Sequence, residues 1–211
     1  MDKFFSIGPN PDAFEEGFAT FERCNSYEWS RSRCDQCDRT TGSLLYQSNL
    51  RVIVRCCDEP VDLDLCIYPH VDQFVLPEDV RALFDENGIT GASYSKVDID
   101  YFSGPGREYG PEEYPYTFYH LDVIGRGGVL PLEAYPESIR EKVRLCDTCR
   151  IILNYNEVTE KRRTIFSLSE WDGSDCFDVR GIGCVYSKKV IDVLSDNGID
   201  NWTAEPVDSI E

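Results

Sequence analysis

The sequence predicts an α+β protein of two similar halves, each a set of strands with one main helix. Two observations carry that expectation. A Cys-x-x-Cys clamp occurs twice, as Cys34-Asp35-Gln36-Cys37 and as Cys146-Asp147-Thr148-Cys149, an offset of 112 residues. Residues 62–99 also align on 172–209 without a gap at a constant offset of 110, matching Asp62 with Asp172, Cys66 with Cys176, Val75 with Val185, Val80 with Val190, Asn87-Gly88-Ile89 with Asn197-Gly198-Ile199, and Val97-Asp98 with Val207-Asp208. Self-similarity of this length is the mark of an internal repeat. It divides the chain into an N-terminal pseudo-repeat (1–99), an aromatic, Gly- and Pro-rich insertion ending in a strand (100–136), and a C-terminal pseudo-repeat (137–211), all within one integrated domain.

Each clamp sets two sulfurs on one tight turn, both within reach of a metal ~2.3 Å away. Cys34, Cys37, Cys146 and Cys149 together make one tetrahedral zinc shell with no position left for water, which is structural and not catalytic. Arg31, Arg33 and Arg39 crowd the first clamp, and Arg140, Lys142, Arg144 and Arg150 the second. Zinc with four thiolates carries a net negative charge, so nearby cations offset it and lower the thiol pKa values. Because each half donates two ligands, metal binding closes a long loop and contributes directly to folding.

In chain order, Lys3 to Ile7 reads as an opening strand, followed by a Pro-containing turn and by Phe14, Phe18 and Phe21 at helical spacing, an aromatic stripe for the core. Leu44-Leu45-Tyr46, the β-branched run Leu50 to Val54, and residues 61–67 read as further strands. The repeated helix is expected at about 78–87 and 188–197. Pro77 suits its first turn in one copy and Ser187 its N-cap in the other, with Val80, Leu83 and Phe84, and then Val190, Val193 and Leu194, forming the apolar face. Both copies stop at Asn-Gly-Ile, where glycine takes the left-handed conformation and isoleucine folds back on the last turn. Tyr116 to Val123 reads as a strand. The second clamp ends a helix marked by Ile139 and Val143 and precedes strand-like Ile151-Ile152-Leu153, whereas a thioredoxin-type clamp opens a helix after a strand.

The 21 Lys+Arg against 39 Asp+Glu give a formal charge of −18, spread along the whole chain. Such a field repels nucleic acid and anionic membranes and attracts basic proteins, while also serving plain solubility. No apolar run is long enough to span a bilayer, and Met1 to Phe5 lacks the basic and apolar regions of an export signal, which places the chain in the cytoplasm. In that compartment the ten cysteines read as metal ligands or buried thiols instead of disulfides. Cys24, Cys56, Cys57, Cys66, Cys176 and Cys184 are expected as small buried hydrophobes, with Cys56, Cys57 and Cys66 as the alternative site for a second metal. Tyr109, Glu112, Glu113 and Tyr114 in the insertion are the candidate surface for a basic partner, because tyrosine is enriched in binding hot spots; packing beneath a long loop is the other reading of the aromatics. The glycines there do not have Walker spacing. Only two histidines occur: His120 lies in the Tyr116 to Val123 strand, and His70 aligns with Arg180. No nucleophile elbow or His-Glu-x-x-His is present.

The two clamps, the segment Phe118-Tyr119-His120-Leu121-Asp122-Val123 between them, and Trp171-Asp172-Gly173-Ser174-Asp175-Cys176-Phe177 before the second helix resemble the double-CXXCG motif family, across roughly residues 30–208. That family includes bacterial immunity proteins that neutralise a cognate toxin. The glycine expected after each second cysteine is Asp38 in one clamp and Arg150 in the other. The resemblance implies a non-enzymatic, acidic, zinc-binding protein that occupies a basic toxin. A DNA-mimic inhibitor and a zinc-dependent or redox enzyme are the alternatives.

Overall fold

A computed structural model describes residues 3–9, 20–23, 29–38, 40–46, 50–55, 68–70, 73–104, 106–113, 116–154 and 163–211. Most of these residues are in strands: β1 (Phe4–Pro9), β2 (Thr20–Arg23), β3 (Trp29–Arg33), β4 (Thr40–Tyr46), β5 (Leu50–Arg55), β6 (Tyr68–His70), β7 (Gln73–Pro77), β8 (Ala92–Gly104), β9 (Arg107–Tyr109), β10 (Phe118–Val123), β11 (Gly125–Val129), β12 (Ile165–Ser167), β13 (Cys176–Arg180), β14 (Gly183–Ser187) and β15 (Trp202–Ile210). The α-helices are α1 (Glu78–Glu86), the single turn α2 (Glu137–Arg140) and α3 (Lys188–Asp196). The architecture is α+β in kind, with strands far outweighing helix.

Two mixed sheets hold these strands. One runs β2-β5-β8-β10-β7-β6, with β9 folded back on the end of β8, and the other runs β11-β13-β14-β1-β15-β12. In each sheet the two outermost strands approach one another, β2 towards β6 and β11 towards β12, so both sheets curl and enclose one face. Alternation within the strands decides what is enclosed. Phe21, Leu50, Val52, Val54, Val75, Val97, Phe102 and Phe118 fill the first sheet, and Phe4, Phe166, Phe177, Val179, Val185 and Val207 fill the second. The opposite faces meet the helices in a third core shared by both sheets, where Val80 and Phe84 of α1 and Val190 and Leu194 of α3 pack with Phe74, Leu76, Leu121 and Tyr186.

The first strand of the chain does not pair with its neighbours in sequence. β1 lies between β14 and β15 and is antiparallel to both, with Phe4 opposite Ser187 on one side and Val207 on the other. Conversely β10 lies between β7 and β8, with Phe118 opposite Pro77 and Tyr119 opposite Lys96. The partner residues of the two strands stand 110 apart: Ser187 against Pro77, and Pro206, opposite Phe5, against Lys96. The same offset separates β7, α1 and β8, which begin at 73, 78 and 92, from β14, α3 and β15, which begin at 183, 188 and 202. Parallel pairing of Arg51 with Asp98 is matched by Ile165 with Asp208. The first sheet is thus drawn from residues 20–123 alone, whereas the second, otherwise built from residues 125–210, is completed by β1 from the start of the chain.

The helix punctuation acts as the sequence suggests at the C-terminal ends and differs at the N-terminal ends. Gly88 and Gly198 have φ of 59° and 72°, and the Ile89 and Ile199 N–H groups donate to Phe84 O (2.9 Å) and Leu194 O (3.0 Å). Asn87 and Asn197 add the same side-chain bond, each Nδ2 donating at 2.8 Å to Leu83 O or Val193 O. Pro77 is the N-cap of α1 and not a residue of its first turn, and Ser187 is the N-cap of α3 but makes no side-chain cap. Its hydroxyl donates instead to Asp175 Oδ1 at 2.7 Å. Phe21 is buried in β2 and not on a helix, so its tertiary partners override the 3.6-residue spacing; Phe14, Phe18, residues 61–67, Cys24, Cys56, Cys57 and Cys66 lie outside the described residues. The helix before the second clamp is only α2, which ends ahead of Val143, and Ile152 forms an isolated bridge to Leu145 instead of a strand.

Asp175 joins the end of α1 to the β13–β14 hairpin. Its Oδ2 accepts the Thr90 N–H and hydroxyl, both at 3.0 Å, and Lys189 Nζ lies 3.4 Å away. Gly91 beside it has φ of 76°, and a Cβ there would overlap the Cys176 carbonyl, so the two segments touch backbone to backbone. Burial opposes ionisation of Asp175, but the Ser187 hydroxyl, the Thr90 groups and Lys189 outweigh it and hold the carboxyl below its usual range. A depressed carboxyl stabilises the fold above its unfolded pKa and loses that contribution as pH falls through its folded pKa. Asp175→Asn is therefore expected to cost about 1–3 kcal/mol at neutral pH, with the gap to the parent closing below about pH 4, measured by thermal melts across pH.

Candidate metal centre

The first clamp is the turn between β3 and β4, whose hairpin closes on the Arg33–Thr40 pair; the second sits inside the Leu145–Ile152 bridge, 112 residues on at each position. Both turns are closed alike. The Asp38 N–H donates to Cys34 O at 2.8 Å, and the Arg150 N–H to Cys146 O at 2.9 Å. Asp38 and Arg150 have φ of 54° and 63°, and among the described residues they are the non-glycine residues with positive φ. The left-handed conformation costs an L-residue roughly 1–2 kcal/mol, which glycine avoids. The two departures from the CXXCG pattern thus fall where the backbone has left-handed geometry.

These turns bring the four thiols together although two of them are more than a hundred residues from the other two. Cys34 Sγ lies 3.6 Å from Cys146 Sγ, Cys37 Sγ lies 3.6 Å from Cys149 Sγ, and all four sulfurs fall within 4.8 Å of one another. A tetrahedral thiolate site with ~2.3 Å bonds has sulfur–sulfur edges of about 3.8 Å, whereas a disulfide needs ~2.05 Å. All four are free thiols, and Cys34, Cys146 and Cys149 are buried. The group could hold a metal ion.

The electrostatics of the cluster are uneven. The Cys149 backbone N–H, with help from that of Thr148 and against burial, pulls the Cys146 thiol down to about 6. Burial pushes Cys149 up to about 12, and its cysteine neighbours add to that effect while the Ile151 N–H opposes it. A thiolate at Cys146 beside a protonated Cys149 is the arrangement a cation completes by displacing the remaining proton.

Three residues that brace the cluster carry no signal in the sequence. Gln36 reaches across from the first clamp, its Oε1 accepting the Thr148 N–H (3.1 Å) and hydroxyl (2.8 Å) of the second. Asn154, buried, accepts the Arg144 N–H at 2.9 Å and donates to Lys142 O at 2.8 Å, fixing the base of the second clamp. Arg180 Nη1 donates to Cys149 O at 3.1 Å. Of the cations expected to offset the thiolates, Arg33 pairs with Asp38 at 2.8 Å, and Arg140 donates to the Tyr135 carbonyl at 2.8 Å. Arg39 and the Arg31 side chain lie outside the described residues.

The insertion is only partly the recognition surface that its composition suggests. Tyr109 is buried at 3% exposure, with the Arg107 guanidinium 3.8 Å above its ring, so this tyrosine is not presented to a partner; β9 tucks it into the first curled sheet. Glu112 and Glu113 are exposed, and Glu113 pairs with Arg107 at 3.1 Å and accepts the Gly110 N–H at 3.1 Å. Tyr114 lies outside the described residues. His120 is buried with its Nδ1 2.9 Å from Asp122, whose other oxygen accepts the Ser95 hydroxyl at 2.6 Å. No helix among the described residues is long and apolar enough to cross a membrane. No protein-family model matches the chain, and no curated protein does.

Proposed function

We propose that the metal is a structural zinc ion held by Cys34, Cys37, Cys146 and Cys149, and that the chain is a non-enzymatic, acidic binding protein of the double-CXXCG kind, an immunity protein that neutralises a basic toxin. The single observation that carries this reading is the thiol cluster: four sulfurs of two clamps lie within 4.8 Å of one another, and a tetrahedral ion held by all four would have no position left for a substrate. A formal charge of −18 then suits a surface that complements a basic protein. The family reading is supported by the left-handed backbone at Asp38 and Arg150, where the motif has glycine. Descent of the two halves from one ancestral unit is supported by the shared 110-residue offset in helices and strands and by the matching registers of β1 and β10.

Co-expression with the toxin encoded by a neighbouring reading frame tests this reading. Protected growth, and capture of the toxin by the purified chain with association several-fold slower near 0.5 M salt, are the expected results, because exposed charges are screened over ~4 Å there. Glu108→Lys with Glu112→Lys, both exposed, is expected to weaken binding without lowering the melting temperature, whereas Glu113 is left in place because it pairs with Arg107. Failure of that double variant alone moves the contact surface elsewhere; absence of any neutralised basic partner overturns the proposal.

A further inference from the structure

Beside the second clamp lies a cavity of ≈ 270 Å³, between Leu145 and Arg150 on one side and the 129–133 segment on the other. Its lining is divided about evenly between polar and apolar surface, the apolar part including Val129, Leu130, Leu132 and Leu145. Three further polar or charged residues line it besides Arg150, and the side chains of two are already engaged: Glu170 Oε2 accepts the Val129 N–H at 2.9 Å, and the Ser167 hydroxyl bonds Ser169 at 2.8 Å. The Glu133 carboxylate and the Arg150 guanidinium have no hydrogen bond or ion pair among the described residues.

Arg150 occupies a left-handed position that glycine would fill without strain. At the corresponding position of the first clamp the strained residue, Asp38, forms an ion pair with Arg33; Arg150 has no such partner among the described residues and lines a cavity. Backbone strain retained at the edge of a cavity, where an exposed arginine is one of the lining residues, points to a ligand site.

We infer that this cavity binds a small zwitterion, a free α-amino acid with an aliphatic side chain. Arg150 takes the carboxylate in the bidentate manner its planar fork allows, Glu133 takes the ammonium, and the leucine and valine walls take the side chain. The volume lies just below the ~300 Å³ at which drug-sized sites begin, which fits a ligand of this size. Because Leu145 and Arg150 flank the ligands Cys146 and Cys149, the clamp sets the position of the anion-binding group. The site is independent of the toxin-binding reading.

Titration of the full-length protein with L-leucine, followed by amide chemical shifts, tests the inference. Saturable shifts at residues 129–133 and 145–150 with a Kd in the ~1 mM range are expected. Isoamylamine, which lacks the carboxylate, and N-acetyl-leucine, which lacks the ammonium, are expected to bind at least ~10-fold more weakly, since each leaves one charge unpaired. Arg150→Gly is the decisive variant: it relieves the left-handed strain, so its melting temperature should not fall, yet leucine binding should be lost. No saturable shift up to ~20 mM leucine, equal binding of all three probes, or undiminished binding by Arg150→Gly overturns the site.

Discussion

Cys34→Ser and Cys146→Ser are each expected to remove the metal and to lower the melting temperature by roughly 10 °C or more, with zinc falling from one per chain to none by elemental analysis. The clamps supply two sulfurs each, and serine in place of either leaves three soft ligands and a weak fourth. Structural zinc sites contribute large binding free energies that become folding free energy, because the unfolded chain has no such cluster. Part of that loss is absorbed here. The two curled sheets are also tied by the β1 and β10 strands and by the helix core, so the variants should remain folded at room temperature and unfold earlier on heating. A metal-free parent protein with unchanged melting temperature would refute the zinc assignment. Melting unchanged in the variants, with the metal lost, would leave the ion without a structural role.

Phe4→Ala is expected to destabilise the fold by about 3–5 kcal/mol, the cost of a full aromatic cavity. Phe4 is 2% exposed and packs edge-on against Phe166, Trp171 and Phe177 with ring centroids 4.9, 5.1 and 5.7 Å away. These partners lie more than 160 residues downstream. Amide exchange should therefore accelerate in β14 and β15, which flank β1, and not first in β2, its next neighbour in sequence. A cost under about 1 kcal/mol, or loosening confined to the N-terminal elements, would refute the placement of β1. Phe118, opposite Pro77 and also fully buried, should respond similarly through β7 and β8.

Features decided by a few neighbouring residues were legible in the chain alone. The clamp cysteines read directly, because two sulfurs three residues apart need only one turn to share a metal. Helices α1 and α3 read from an apolar face and an Asn-Gly-Ile stop, since hydrogen bonds and caps within a helix are local. The same reasoning misplaced Phe21 on a helix and presented Tyr109 to solvent. A 3.6-residue spacing of three aromatics does not record that one of them will line a sheet, and a Tyr among acids does not record the Arg107 that covers it. Which strands pair lay further out of reach. β1 and β10 are short strands whose own residues do not specify a partner; their placement follows from closing two curled cores at once, where Phe4 completes one and Phe118 the other. Gln36, Asn154 and Arg180 gained their bracing roles in the same way, because residues distant in sequence meet at the cluster only after both clamps have folded together.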